Sequence, residues 1–229
     1  MKAVLVETYE LAPQVRHFIF SVPEVEQLHF KAGQFVSFNE VLNGKKITRP
    51  YSIASLPSDN KFELCLNLVE EGLFSPFLFA MKPGDAVEMS APLGFFVVRN
   101  PAKEAVFIAT GTGIAPFRGM APDYLSHPHA NQLTLIFGVR YENSLYYRAE
   151  FEELARKHSN FRFWPTLSRP EPTWSGRGGH VQIHLLEAIG DRRDLDVYIC
   201  GLKAMVDDVR AILKGLGFDR KQIVFEKYD

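Results

Sequence analysis

The chain has 229 residues, 46% of them hydrophobic and 23% charged, with a formal net charge of −1. That length suits one large domain or two small ones, each with its own core. The near-neutral balance argues against a nucleic-acid surface or a polybasic membrane patch. No apolar run is long enough to span a bilayer, and Met1-Lys2-Ala3-Val4-Leu5 starts like a strand rather than a signal peptide, so a cytoplasmic protein without membrane insertion is expected. Cys65 and Cys200 are the only cysteines, too few for an iron–sulfur cluster with four cysteine ligands or a four-cysteine zinc site. His127-Pro128-His129 has no carboxylate or cysteine at ligand spacing, so no metal site is expected.

Residues 1 to about 98 read as short alternating strands: Lys2–Tyr9, Val15–Ser21, Phe35–Glu40, Arg49–Ser55, Phe62–Leu68 and Ala86–Ser90. Turn signals separate them at Ala32-Gly33, Asn43-Gly44, Pro57-Ser58-Asp59-Asn60 and Lys82-Pro83-Gly84-Asp85. A short helix fits Ser75–Met81. Many short strands with little helix argue for an antiparallel barrel or sandwich.

Three runs in this half carry a resemblance. Arg49-Pro50-Tyr51-Ser52 resembles the R-x-Y-S flavin motif of the ferredoxin–NADP⁺ reductase family. Gly72-Leu73-Phe74-Ser75 resembles that family's second flavin signature, and Ala91-Pro92-Leu93-Gly94-Phe95-Phe96 resembles the segment closing its flavin domain. The resemblance implies that Arg49, Pro50, Tyr51 and Ser52, with Gly72, Leu73, Phe74 and Ser75, hold FAD. The residue chemistry agrees. Arg49 offers a planar, permanently charged fork for a pyrophosphate. Ser75, with N–H groups opening the short helix, would bind the same pyrophosphate from the other side. Tyr51 would lie on the isoalloxazine, and Ser52 is a small donor and acceptor for the flavin N5. Read singly, the Arg49 run also fits an edge strand with an exposed arginine and a buried tyrosine.

From about Asn100 the pattern changes. Apolar strands at Ala105–Ala109, Leu133–Val139, Phe161–Thr166, Val197–Cys200 and Ile223–Phe225 alternate with helices at Ile114–Leu125, Arg148–His158, Val181–Glu187 and Ala204–Leu216. Such alternation predicts a doubly wound α/β domain with a parallel sheet and ligands beyond its C-terminal strand ends. Asn100-Pro101-Ala102-Lys103 marks the boundary, giving domains at 1–99 and 100–229.

The first strand of this half runs into Thr110-Gly111-Thr112-Gly113-Ile114-Ala115-Pro116 and then a helix. A glycine turn at a helix start presents N–H groups and a positive dipole end to one point, which suits a phosphate. Gly111 and Gly113 would let the backbone approach that ligand. Pro116 stands where a third glycine would complete the Rossmann fingerprint, and proline is welcome in a first helical turn.

This loop resembles the family's pyridine-nucleotide loop, with Thr110, Gly111, Thr112 and Gly113 as contacts. The resemblance puts Arg140 near the adenosine end and Ser168 and Arg169 at the 2′-phosphate of NADPH, with NADH the less favoured nucleotide. Hydroxyl and guanidinium donors suit a phosphate better than an acidic ribose clamp does. Trp174-Ser175-Gly176-Arg177-Gly178-Gly179 reads as a scaffold loop before a helix, with a cofactor contact as the alternative. Cys200-Gly201-Leu202-Lys203-Ala204-Met205 resembles the family's C-G-x-x-x-M turn, which would bring Cys200, Gly201 and Met205 to the nicotinamide. Cys200 would shape the pocket rather than act as a nucleophile, since no base stands nearby in sequence. The ending Phe225-Glu226-Lys227-Tyr228-Asp229 resembles the E-x-Y ending of several reductases. There Tyr228 would cover the flavin and Glu226 would relay a proton or hold the Ser52 hydroxyl.

Taken together, the resemblance implies an antiparallel β-barrel FAD domain followed by a doubly wound NAD(P)-binding domain. Its expected activity is hydride transfer between NADPH and FAD, with single electrons passing to or from ferredoxin or a flavodoxin-like carrier. Ser52, Cys200, Glu226 and Tyr228 are the expected catalytic group, and a monomer is expected. The alternative role is the reductase component of an oxygenase, or a free-flavin or quinone reductase. A flavin-binding sensor or regulatory subunit without turnover is the alternative of a different class.

Overall fold

The protein is described from a computed structural model covering residues 1–228. Asp229, which follows the expected E-x-Y ending, lies outside the described residues.

The first half builds six strands and one helix: β1 (Lys2–Ala12), β2 (Val15–Ser21), β3 (Phe35–Leu42), β4 (Lys45–Ser52), β5 (Lys61–Asn67), α1 (Phe74–Ala80) and β6 (Ala86–Met89). Their order is β4-β3-β6-β1-β2-β5, and every pairing is antiparallel. A bridge between Ile53 and Leu64 joins the exit of β4 to β5, so the two edges meet and the sheet closes. Closure removes the unpaired edges that would invite aggregation. Phe18, Phe20, Phe38 and Phe62 fill the interior without measurable exposure.

Among the barrel strands, β4 departs most from the expected bounds. β4 begins at Lys45 and stops at Ser52, where the sequence suggested Arg49–Ser55. The cause is the turn: Asn43 and Gly44 both take positive φ, 51° and 73°, and pair Leu42 with Lys45 as a two-residue hairpin. Such hairpins favour Asn-Gly because both central residues need positive φ.

The second half has strands β7 (Ala105–Thr110), β8 (Leu133–Val139), β9 (Phe161–Leu167), β10 (Arg177–Gly178), β11 (Asp196–Leu202) and β12 (Ile223–Tyr228). Helices α2 (Ala115–Ser126), α3 (Arg148–Lys157), α4 (Val181–Ile189) and α5 (Lys203–Gly215) connect them. The order is β10-β9-β8-β7-β11-β12, all parallel. Along β7, Phe107 packs with Phe117 and Tyr124 of α2, while Val106 and Ile108 pack with Val181 of α4 and Val206 of α5. Two buried faces explain the unbroken apolar runs. Strand order reverses between β7 and β11, which opens a crevice at their C-terminal ends.

The two halves share packed surface. β2 is buried on both sides: Phe18 and Phe20 point into the barrel, while Val15 joins the apolar cluster of Phe117 and Tyr147. Ala12, Ala54 and Cys65 of the barrel lie in that same cluster.

Candidate active site

The crevice is framed by two interlocked turns. Thr110 to Ile114 leaves β7 through a tight helical turn before α2, and Cys200-Gly201 lies just before the end of β11. A methyl on Gly113 would run into the Cys200 carbonyl, and one on Gly201 into the Thr110 hydroxyl. Gly201 also holds φ at +145°, a conformation that favours glycine. At Gly113 the missing side chain makes room for the neighbouring strand end, a packing reason that the sequence expectation did not contain. Gly111 differs. It has φ +54° and open space where a Cβ would stand. Beside it, the buried Thr110 hydroxyl has no hydrogen-bond partner among the described residues. Buried polar groups are seldom left so, and this one, packed against Gly201, leaves a polar demand that a ligand at the turn could meet. Met205, on the first turn of α5, is buried against Gly201.

The opposite wall comes from β4 and β12. Ser52, the last residue of β4, is buried, and its hydroxyl donates to a Glu226 carboxylate oxygen at 3.2 Å. The Tyr228 hydroxyl donates to Ser52 Oγ at 2.7 Å. β12 extends to Tyr228 instead of ending at Phe225, and its register sets Cys200 beside Glu226. Strand periodicity puts Glu226 and Tyr228 on one face. The Tyr228 hydroxyl also meets the Cys200 thiol. Burial pushes the Glu226 carboxyl up to about 7, with the Ser52 hydroxyl pulling the other way. Burial, reinforced by the Glu226 charge, raises the Cys200 thiol well above its usual range. A thiolate nucleophile is therefore disfavoured. Burial likewise raises the Tyr228 phenol well above its usual range. The cluster is thus neutral near pH 7 except for one carboxyl poised to change.

The two flavin motifs also converge. Tyr51 is half-buried between Phe38 and Phe74, with ring centroids 5.7 and 6.2 Å away. Burial lifts its hydroxyl to about 12, and the Arg49 charge opposes that rise. Arg49 is exposed on β4, as is Pro50, and one guanidinium nitrogen donates to the Thr48 carbonyl at 2.9 Å. Its other donors point away from that bond. Ser75 differs from expectation. Its hydroxyl accepts from the Val69 N–H at 2.9 Å and donates to the Val69 carbonyl at 3.4 Å, with Gly72 folded over the same residue. The hydroxyl is occupied by the loop, because short polar side chains readily satisfy adjacent backbone. Leu73 is exposed and Phe74 buried at the head of α1.

At the far end of the crevice, parallel register brings Arg140, Ser168 and Arg169 together. The Ser168 N–H donates to the Val139 carbonyl at 2.9 Å, and the Arg169 N–H to the Arg140 carbonyl at 3.0 Å. Both arginines are exposed. A cavity of about 420 Å³ in the same loop region is lined by Tyr141, Glu142, Asn143 and Glu171, none of which the motifs indicated. Among the described residues, no group of three or more His, Cys, Asp or Glu side chains could hold a metal ion. No helix there is long and apolar enough to cross a membrane.

The closed antiparallel sheet, the doubly wound sheet and the polar cluster between them define a two-cofactor oxidoreductase of the FAD and NAD(P) class. Residues 2–98 match the oxidoreductase FAD-binding domain, and residues 107–211 the oxidoreductase NAD-binding domain. The chain is 40% identical to ferredoxin–NADP reductase B of Sorangium cellulosum over 239 residues, covering 100% of this chain and 97% of that one. It belongs to the ferredoxin–NADP⁺ reductase family. It is also 35% identical over 224 residues to DmpP, the reductase component of phenol 2-monooxygenase from a Pseudomonas species, covering 90% of this chain and 62% of DmpP. It thus spans less than two thirds of that relative's length. Among solved structures, the Amycolatopsis cytochrome P450 reductase GcoB superposes with a TM-score of 0.89 at 31% identity, covering 99% of this chain and 69% of GcoB. A Neisseria gonorrhoeae ferredoxin–NADP⁺ reductase with bound FAD and NADP superposes at 0.84 and 25% identity, covering 99% and 98% of the two chains. The orphaned Thr110 hydroxyl, the open face of Gly111 and the exposed Arg49 fork fit the two cofactors of this family.

Proposed function

We propose that the protein is a ferredoxin– or flavodoxin–NADP⁺ reductase, working as a monomer with its domain boundary near Asn100. The observation that carries this is the Ser52–Glu226–Tyr228–Cys200 cluster, which joins the flavin half to the nucleotide half where β4, β11 and β12 meet. FAD, when bound, supplies the conversion between hydride and single-electron transfer. Arg49, Pro50, Tyr51, Ser52, Gly72, Leu73 and Phe74, with the N–H groups around Ser75, would hold it. Thr110, Gly111 and Thr112 would take the nucleotide's phosphates, with Gly113, Gly201 and Met205 shaping the turns beneath.

The remaining steps belong to this chain's own residues. Ser52 sits between an acceptor and a donor, so its hydroxyl direction is fixed before any ligand arrives, and such preorganisation lowers reorganisation during reaction. Glu226, poised near 7, holds a proton that it can give up or regain within the working range of a cytoplasmic enzyme. Cys200 stays protonated and excludes water from the crevice floor.

Arg140, Ser168 and Arg169 support NADPH as the nucleotide. NADH is the second reading, because Glu142 and Glu171 line the cavity in that loop region and a carboxylate suits a ribose hydroxyl. A role as the reductase component of an oxygenase draws on the likeness to DmpP.

The test is an anaerobic visible titration of the purified flavoprotein with NADPH and with NADH. A ferredoxin, a flavodoxin and free flavin are then offered to the reduced protein. Rapid bleaching by NADPH and reoxidation by a protein carrier are expected. Bleaching without reoxidation by either carrier would overturn the partner, and a flavin bleached by neither nucleotide would indicate a binding protein without turnover.

A further inference from the structure

A second polar cluster joins the two halves away from the Ser52 group. Arg118 stands in the first turn of α2, directly after the nucleotide loop. One guanidinium nitrogen donates to the Ala54 carbonyl at 2.9 Å and also to the Glu63 carboxylate. Its Nε donates to Glu150 at 2.7 Å, and the guanidinium lies 4.7 Å over the Tyr147 ring. The Tyr147 hydroxyl is 2.8 Å from His17 Nδ1. His17 Nε2 faces a Glu63 carboxylate oxygen at 3.2 Å. Burial would raise the Glu63 carboxyl, but His17 and Arg118 outweigh it and bring it down to about 2. Burial would likewise lower Arg118, and Glu150 and Glu63 reverse that.

Two details give this cluster a direction. Ala54 lies two residues beyond Ser52. On α2, the residue after Arg118 is Gly119, where a Cβ would come within 2.5 Å of the Ser55 carbonyl. The helix that starts at the nucleotide loop therefore rests without slack on the segment that leaves the flavin motif. A buried ion pair is weak evidence for stability, since apolar replacements often do as well. A planar fork serving three acceptors at once is evidence for geometry.

We propose that Arg118 is a positioning residue: by tying α2 to Ala54 and Glu63, it sets the separation between the nucleotide loop and Ser52, across which hydride passes. On the family reading of hydride transfer between NAD(P)H and FAD, a shift of about 1 Å there can cost about 100-fold in rate. Lysine at this position would keep the charge but could not serve Ala54, Glu63 and Glu150 together.

The test is anaerobic single-turnover reduction of the FAD-loaded protein over a range of NADPH concentrations, which separates nucleotide affinity from the limiting rate. Arg118→Lys is expected to lower the limiting rate by about 10-fold or more while the apparent NADPH Kd stays within about twofold and FAD is retained. Gly119→Ala should give the same signature by another route, its methyl pushing α2 away from Ser55. Glu150→Gln, which alters only the exposed partner, should lower the rate by about threefold. Should Arg118→Lys fail to fold, the other two variants decide. Limiting rates within about twofold of the parent protein in Gly119→Ala and Glu150→Gln would overturn the proposal, as would a loss confined to Kd. A parent protein reduced by neither nucleotide would instead overturn the hydride reading on which it stands.

Discussion

Two polar clusters bridge the same two halves, and they are built on opposite electrostatic plans. Around Arg118 the groups are charged and held so: Glu63 is brought down to about 2, and Arg118 lies above its usual range. Around Ser52 the groups are kept neutral: Cys200 and Tyr228 are raised well above their usual ranges and Glu226 rests at about 7. Burial is the largest influence on both Glu63 and Glu226, so burial alone does not separate them. The difference is the partner. Glu63 has a guanidinium beside it, whereas Glu226 has, among the described residues, hydroxyls and a thiol. A buried carboxylate beside a fixed cation stays ionised and serves as structure, while one beside hydroxyls keeps a proton within reach and can take part in chemistry.

The sharpest way to break this contrast is Ser52→Ala. It removes the hydroxyl that orders the neutral cluster, and flavin reduction should slow by about 100-fold with FAD still bound. Unchanged stopped-flow kinetics would remove Ser52 from the reaction. Next in size, Gly113→Ala forces a methyl against the Cys200 carbonyl and should cost about 1–3 kcal/mol of stability, read as a lower Tm of the holoprotein. An unaltered Tm would show that the two turns are not interlocked.

The pH dependence should then separate the clusters by sign. Glu226 has a raised pKa in the folded protein, so its favourable contribution is present at low pH and fades as pH rises from the ordinary carboxylate range through about 7. Glu63 has a lowered pKa, so its contribution is present above the ordinary range and is lost as pH falls towards about 2. Glu226→Gln should therefore flatten the pH profile of flavin reduction near 7, and Glu63→Gln should change stability chiefly above the ordinary carboxylate range. The same pH response in both variants would erase the distinction. The smallest effect expected is at the adenosine end, where Arg169→Ala should raise the NADPH KM by about 10-fold and leave the NADH KM nearly unchanged. Equal changes would remove the 2′-phosphate role.

Much of this architecture was legible in the sequence for a physical reason. Leu133–Val139 is apolar throughout because both faces of β8 are covered, and its bounds match the expectation. Val15–Ser21 also matches. β4 was misplaced because its first residues, Lys45 and Lys46, are exposed and carry no apolar signal. The Asn-Gly turn was the better guide to its start. In the site, motifs named Ser52, Cys200, Glu226 and Tyr228, but not the hydrogen bonds that link them across 174 and 176 positions of chain. The Val69 contacts of the Ser75 hydroxyl and the Cys200 carbonyl beside Gly113 were not legible, because each depends on a neighbour that the motif does not contain. Arg118 was missed altogether, since its partners Glu63 and Ala54 lie 55 and 64 positions away. A glycine inside an otherwise helical run, Gly119, was the available hint that this turn touches something closely.

The parallel pairing of β12 with β11 also has a consequence for biosynthesis. Domains tend to fold as they emerge, those nearer the N-terminus first. The barrel strands all lie within residues 2–89, whereas Glu226 and Tyr228 reach Ser52 only through the final described strand. The barrel strands are therefore all synthesised well before Glu226 and Tyr228 are available to order Ser52. The two residues that order Ser52 are thus among the last of the described chain to be made, and the cluster forms only once both halves are present.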